Sequence, residues 1–275
     1  MSISAPRYVR APVAHLGRTF RDLAVLQREF LRRSTAGPLA VIALAFLSVV
    51  ITVTFTVDFA AFTGTSVMGA FESPYRSVFW TLLMLIVTAM VGSGSLADDI
   101  GSRSITLYLS RPIHLTDYLF AKAAATGSWI LIAAAGPGCV AAGLTAALGM
   151  VSASTALTAV GAYLAVGLVT AVYFTGISLA FSSLTRRSLY AGVAIFGSVL
   201  SVAASSEVVS GIVGNTNVLY ADPNTCLNSI AQASFGLPAP YPIDPATSLV
   251  VMVLVGILLG MLAWWRLSRI EVVGE

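Results

Sequence analysis

Six apolar stretches, each about long enough to cross a lipid bilayer, govern what this chain can fold into. They lie at about 38–57, 77–96, 124–149, 156–183, 189–206 and 247–265. A helical crossing of a roughly 30 Å hydrocarbon layer takes about 20 apolar residues. Backbone N–H and C=O groups inside lipid find no water, so each stretch must satisfy them internally as a helix. A membrane β-barrel would instead show short segments of alternating polarity, and no such segments occur. With 57% hydrophobic and 10% charged residues over 275 positions, there is more apolar surface than a soluble core of this size needs. The expectation is an all-α polytopic membrane protein with six transmembrane helices, organised as a single domain over 1–275.

Basic residues give an expected orientation. Arg7, Arg10, Arg18, Arg21, Arg28, Arg32 and Arg33 precede the first span. Arg103, Arg111 and Lys122 fall between spans two and three, Arg186 and Arg187 between four and five, and Arg266 and Arg269 after six. Only Arg76 belongs to a loop on the other side. The positive-inside rule then predicts cytoplasmic termini, which an even number of spans allows. The net charge of +3 therefore reads as topology. No clustered basic face suited to nucleic acid is present. The opening residues carry no apolar h-region, so no cleaved signal is expected. Residues 14–33 place Leu16, Phe20, Leu23, Leu26, Phe30 and Leu31 opposite Arg18, Arg21, Asp22, Arg28, Glu29 and Arg32. That pattern predicts an amphipathic helix lying in the membrane interface before Gly37-Pro38, or else packing on a partner.

Several chemistries find no support. The spans contain no histidine to serve as base for a serine nucleophile, and no G-x-x-x-x-G-K-[ST] phosphate loop occurs, so neither catalysis nor ATP hydrolysis by this chain is expected. Ion-coupled carriers place ionisable groups at depth. Here Asp58, Asp98, Asp99 and Glu207 all fall near span ends. His15 and His114 have no metal-ligand spacing, and no metal site is expected. Cys139 in the third span and Cys226 in an external loop are too far apart to pair.

The most charged internal stretch is "GSRSITLYLSRPIHLTDYLFAK", from Gly101 to Lys122, the only lysine in the chain. Ile105, Tyr108 and Leu109 share one side of a short helix with Arg103 and Thr106 off it, and Pro112 ends that helix. Thr116-Asp117 is the expected cap of a second helix that runs through Lys122 into the third span. A short cytoplasmic helix joined stiffly to two spans can pass a push from a partner into the bilayer.

This loop resembles that of the ABC-2 type (type V-like) permeases of ABC transporters, which reads as an acid and then "G-T-L…L-L-S-x-P-I-S-R…K". The matching residues are Asp98 or Asp99, Gly101, Thr106, Leu107, Leu109, Ser110, Pro112, Ile113 and Lys122. Aspartate for the usual glutamate, and "SRSI" between Gly101 and Thr106, depart from the pattern and leave the residue pairing open. An amphipathic lead-in helix, six spans and a long external loop before the last span extend the resemblance over nearly the whole chain.

The resemblance implies an exporter permease in the cell (inner or plasma) membrane of a prokaryote. Two copies, or one copy and a related permease, would bind separate ATPase subunits that hold ATP and Mg; no cofactor is expected in this chain. Within the cytoplasmic segment 97–123, Asp98, Asp99, Gly101, Arg103, Thr106, Tyr108, Leu109, Arg111, Pro112 and Lys122 would form the coupling element. The external segment 206–247 would carry short helices capping the exit path, with Asp222, Pro223 and Asn224 as gate candidates; a helix cap followed by a turn explains those three equally well. Gly136-Pro137-Gly138 in the third span is expected to kink or open that helix, either for a substrate path or as a packing bend. Spans rich in Ala, Val, Leu, Gly, Ser and Thr suit an amphipathic or apolar cargo. The alternative function is a membrane anchor that docks a cytoplasmic partner without transport.

Overall fold

A computed structural model describes residues 36–102, 104, 114–238 and 242–269. The lead-in segment 14–33 and most of the predicted coupling helix, including Arg103, Thr106, Tyr108, Leu109, Arg111 and Pro112, lie outside the described residues. Regular structure among the described residues is helical. The order is α1 (Ala36–Thr63), α2 (Val67–Glu72), a 3-10 turn (Ser73–Arg76), α3 (Val78–Gly92), α4 (Gly94–Gly101), α5 (Leu115–Ala147), α6 (Ala153–Leu184), α7 (Ser188–Val213), a second 3-10 turn (Thr216–Ala221), α8 (Pro223–Ser234) and α9 (Pro245–Ser268). α3 and α4 together make one crossing, so six helical spans are long and apolar enough to cross a membrane. This is a polytopic helical membrane protein.

α6 is the axis of the bundle. It packs most extensively against α5 and α9 and also touches α3, α4, α7 and α8. Its apolar window is 72% buried, against 17% for α7 and 22% for α9, so the latter two present most of their surface outward. Small residues set the spacing at the axis. A Cβ on Gly176 of α6 would collide with the Gly256 backbone of α9, and one on Gly256 would sit 2.8 Å from the Val172 carbonyl oxygen. In lipid, where no hydrophobic drive separates helix from tail, such close approach of backbones supplies the packing energy.

Three expectations change on this fold. α5 starts at Leu115, capped by the backbone of His114, so Thr116 and Asp117 sit inside the first turn and neither is the cap. Leu115 packs against the cluster of Leu96, Tyr118 and Leu267, which draws the helix start back, and Asp117 then faces the positive end of the helix dipole. α7 continues to Val213, past the expected 206, and ends on Gly214 at φ 67, the left-handed conformation that glycine adopts without a Cβ clash. Finally, α5 runs unbroken through Pro137 and does not open there. Gly136 and Gly138 instead admit neighbours: a Cβ on Gly136 would lie 2.6 Å from the Phe46 ring of α1, and one on Gly138 would collide with the Tyr163 ring of α6.

Candidate functional site

Two polar constructions sit at opposite ends of this apolar bundle. The first joins α4 to α5. Asp98 and Asp99 are adjacent on α4, but helical geometry turns them apart: Asp98 is exposed and Asp99 is buried. Lys122, also buried, places Nζ 2.7 Å from Asp99 Oδ2. Tyr118, one turn before Lys122 on α5, donates its hydroxyl to the same Oδ2 at 2.7 Å. Ser104 donates to Oδ1 at 3.0 Å. The ammonium also lies 5.5 Å from the Tyr118 ring centroid, within cation–π range. Leu96, Leu119, Leu179, Ala263 and Leu267 enclose the group. A buried charge is tolerated when paired and hydrogen-bonded, and both conditions are met.

Gly101 completes the corner. A Cβ there would collide with the Arg186 carbonyl oxygen, so its absence lets the end of α4 press against the turn between α6 and α7. The connection from α4 to α5 thus has a buried ion pair between the two helices that it joins. Of the sequence-derived coupling residues, Asp99, Gly101 and Lys122 come together here, while Asp98 faces away and is exposed. Tyr118 was not among them, although its i,i+4 spacing to Lys122 marks it as sharing that helix face. Ser104 was not among them either; it belongs to the "SRSI" departure from the resemblance and supplies a donor.

The other end is built from α2, the 3-10 turn that follows it, and α8. The long segment after α7 is mostly helical. α8 has 12 residues, about 18 Å at helical rise and too short to span, yet most of it is buried against α9, α6 and its flanking turns. Asp222 caps α8, accepting the Asn224 and Thr225 N–H groups at 3.0 Å each; Pro223 takes the first helical position; Asn224 Oδ1 accepts Thr81 Oγ1 of α3 at 2.5 Å. The three gate candidates therefore start α8 and tie it to α3.

Beside them lies a feature the sequence reading left out. Glu72 is buried and paired with Arg76 one turn on, whose side chain is 56% exposed, and the Gln232 side chain of α8 neighbours the same carboxyl. Burial raises the Glu72 carboxyl above its ordinary range, against the opposing pull of Arg76. Tyr75, Trp80, Tyr163 and Phe235 form an aromatic cluster at the same end, with Tyr75–Trp80 and Tyr163–Phe235 centroids 5.2 and 5.1 Å apart in edge-on geometry. The Glu72/Arg76 spacing was the available signal. Among the described residues no group of three His, Cys, Asp or Glu side chains could hold a metal ion. Both cysteines are free thiols.

Comparison of the chain with protein-family models and with curated proteins finds no match.

Proposed function

We propose that this protein is the permease subunit of an ATP-driven ABC exporter, and that the Asp99–Lys122 pair makes the loop 103–113 a coupling element. One observation carries the reading: a buried ion pair, reinforced by Tyr118 and Ser104, ties the base of that loop to two spans at the bundle end that carries most of the basic residues. Force applied to a loop with a loose base would dissipate in local motion. A loop clamped at its base transmits a push to α4 and α5, and through the Gly101–Arg186 contact to the turn joining α6 and α7. The ATPase, with ATP and Mg, is a separate cytoplasmic subunit. The permease works as a homodimer or with a related permease, in the plasma membrane of a prokaryotic cell with both termini cytoplasmic. Its cargo is amphipathic or apolar. α8, capped by Asp222-Pro223 and held to α3 by Asn224, is the candidate gate at the far end.

The competing reading is a membrane anchor that docks the same kind of partner without moving substrate. Purification of the tagged chain from its native membrane in mild detergent tests both. A stoichiometric P-loop ATPase, lost when Leu109 and Arg111 are both changed to glutamate, is the expected result. Recovery of the chain without an ATPase in several mild detergents refutes the permease reading. An ATPase that copurifies but never responds to any cargo or to Asp99→Asn favours the anchor.

A further inference from the structure

The end of the bundle opposite Lys122 carries a groove of about 440 Å³, within the range of small-molecule sites. Thr56 and Phe59 of α1, Ser66, Gly69, Arg76 and Leu237 are among the residues that line it. Its height in the membrane follows from the spans. The apolar window of α1 ends at Ala60 and the next begins at Phe79, so a bilayer that covers both windows leaves Arg76, three residues before Phe79, at head-group level. Arg76 is also the only Lys or Arg among the described residues at this end; Lys122, Arg186, Arg187, Arg266 and Arg269 belong to the other.

The guanidinium is aimed rather than loose. Buried Glu72 takes its Nε, and the two Nη groups have no acceptor among the described residues. A planar fork with Nε anchored and Nη free is suited to donate to the oxygens of a phosphodiester. Phe59 lines the groove, and Phe55 lies one turn earlier on α1, toward the middle of the span; the two are 65% and 74% exposed. They give an acyl chain a continuous apolar track leading away from the charge.

We propose that this groove holds a membrane phospholipid, with its phosphodiester on Arg76 and one acyl chain along Phe59 and Phe55. The site combines one fixed cation, small hydroxyl-bearing residues at the interface and an aromatic track toward the bilayer centre. A soluble anion would use the cation and leave the track bare; a neutral lipid would use the track and leave the cation unmatched. The inference depends on the membrane topology alone, so it stands or falls separately from coupling to an ATPase.

The test is native mass spectrometry of the full chain, reconstituted in turn with dioleoyl phosphatidylglycerol, dioleoyl phosphatidylcholine and dioleoylglycerol. The expected result is one tightly retained phospholipid per chain with either head group, and none with dioleoylglycerol. Arg76→Gln alone would leave Glu72 buried without its partner, so the charge-removing variant is Glu72→Gln with Arg76→Gln. Gly69→Leu is the second variant: a Cβ there meets only the Ser66 Cβ, at 3.8 Å, so the side chain grows into the groove without disturbing the ion pair. Retention should fall at least about tenfold in each variant, in the double variant by loss of one charge-assisted contact and in Gly69→Leu by loss of space, while the melting temperature of Gly69→Leu stays at the parent value. Unchanged retention in both variants overturns the proposal. So does equal retention of dioleoylglycerol, which would mean apolar contact alone, or displacement of the phospholipid by millimolar inorganic phosphate, which would mean a site for a soluble anion.

Discussion

Breaking the Asp99–Lys122 pair should be among the most damaging single changes available in this chain. Both side chains are nearly inaccessible, at 1% and 3% exposure, and their charged atoms are 2.7 Å apart. Lys122→Met leaves an anionic Asp99 with Tyr118 and Ser104 as its remaining described donors. Asp99→Asn leaves the buried ammonium without the carboxylate that lies 2.7 Å from it. Removing one member of a buried pair costs about 3–5 kcal/mol, because the survivor keeps its desolvation cost without its counter-charge. For a chain of this size each kcal/mol shifts the melting temperature by roughly 2–4 °C, so either single variant should melt about 6–20 °C lower. The double variant Asp99→Asn with Lys122→Met removes both charges and should recover most of that loss, giving a coupling free energy of at least about 2 kcal/mol in a double-mutant cycle. Tyr118→Phe deletes one donor and leaves the pair, so its cost should be near 1.5–3 kcal/mol, the range for a hydrogen bond to a charged group. The assay is thermal unfolding of the purified chain in one detergent, followed by intrinsic fluorescence and by monodispersity on size exclusion. Single variants that cost under about 1 kcal/mol would refute the view of the pair as a buried clamp. Costs that simply add in the double variant would refute the direct coupling of the two side chains.

Four further outcomes follow from the packing and the opposite end. Gly176→Val should destabilise by about 1–3 kcal/mol or more, because its side chain has only the Gly256 backbone to displace. Gly161→Ala in the same helix meets nothing within 4 Å and should be neutral or slightly stabilising, which the same melting assay checks. Asp222→Ala removes the cap of α8 and should cost about 0.5–2 kcal/mol, with Asp222→Asn retaining part of it; equal melting temperatures for all three proteins would contradict the capping role. Glu72 gives a pH dependence of known sign. Its carboxyl is raised above 4.5 in the folded chain, so from 4.5 up to that raised value the folded state holds the extra proton and the unfolded state does not. Stability from this group is therefore full below 4.5 and declines as pH rises through the window. Glu72→Gln should flatten that part of the melting-temperature profile; an identical slope in the variant would contradict the assignment.

The two polar ends differ in how they could be read from the sequence. Lys122 stands out because it is the only lysine in an apolar chain, and Asp98-Asp99 because two acids stand side by side at one span end. Which acid is paired was not legible, since adjacent residues on a helix point about 100° apart and only the position of α5 selects between them. Tyr118 was recoverable from its spacing to Lys122, whereas Ser104 was not, because its role depends on where the chain goes after Gly101. At the other end, Glu72 and Arg76 look like an ordinary exposed i,i+4 pair. The burial of the carboxylate comes from α8, which is some 150 residues away in sequence, a relation that no local pattern encodes.

The sequence by itself determined the six crossings and the helical class, because the free energy of placing a segment in lipid is a sum over its own residues and needs no knowledge of neighbours. Tertiary structure alone decided where helices start and stop, which glycines are crossing points, and which charges are buried. Those are pairwise properties. Leu115 begins α5 because Leu96 and Leu267 are there to meet it, Gly138 is small because Tyr163 lies against it, and Asp99 is buried because Lys122 faces it across two helices.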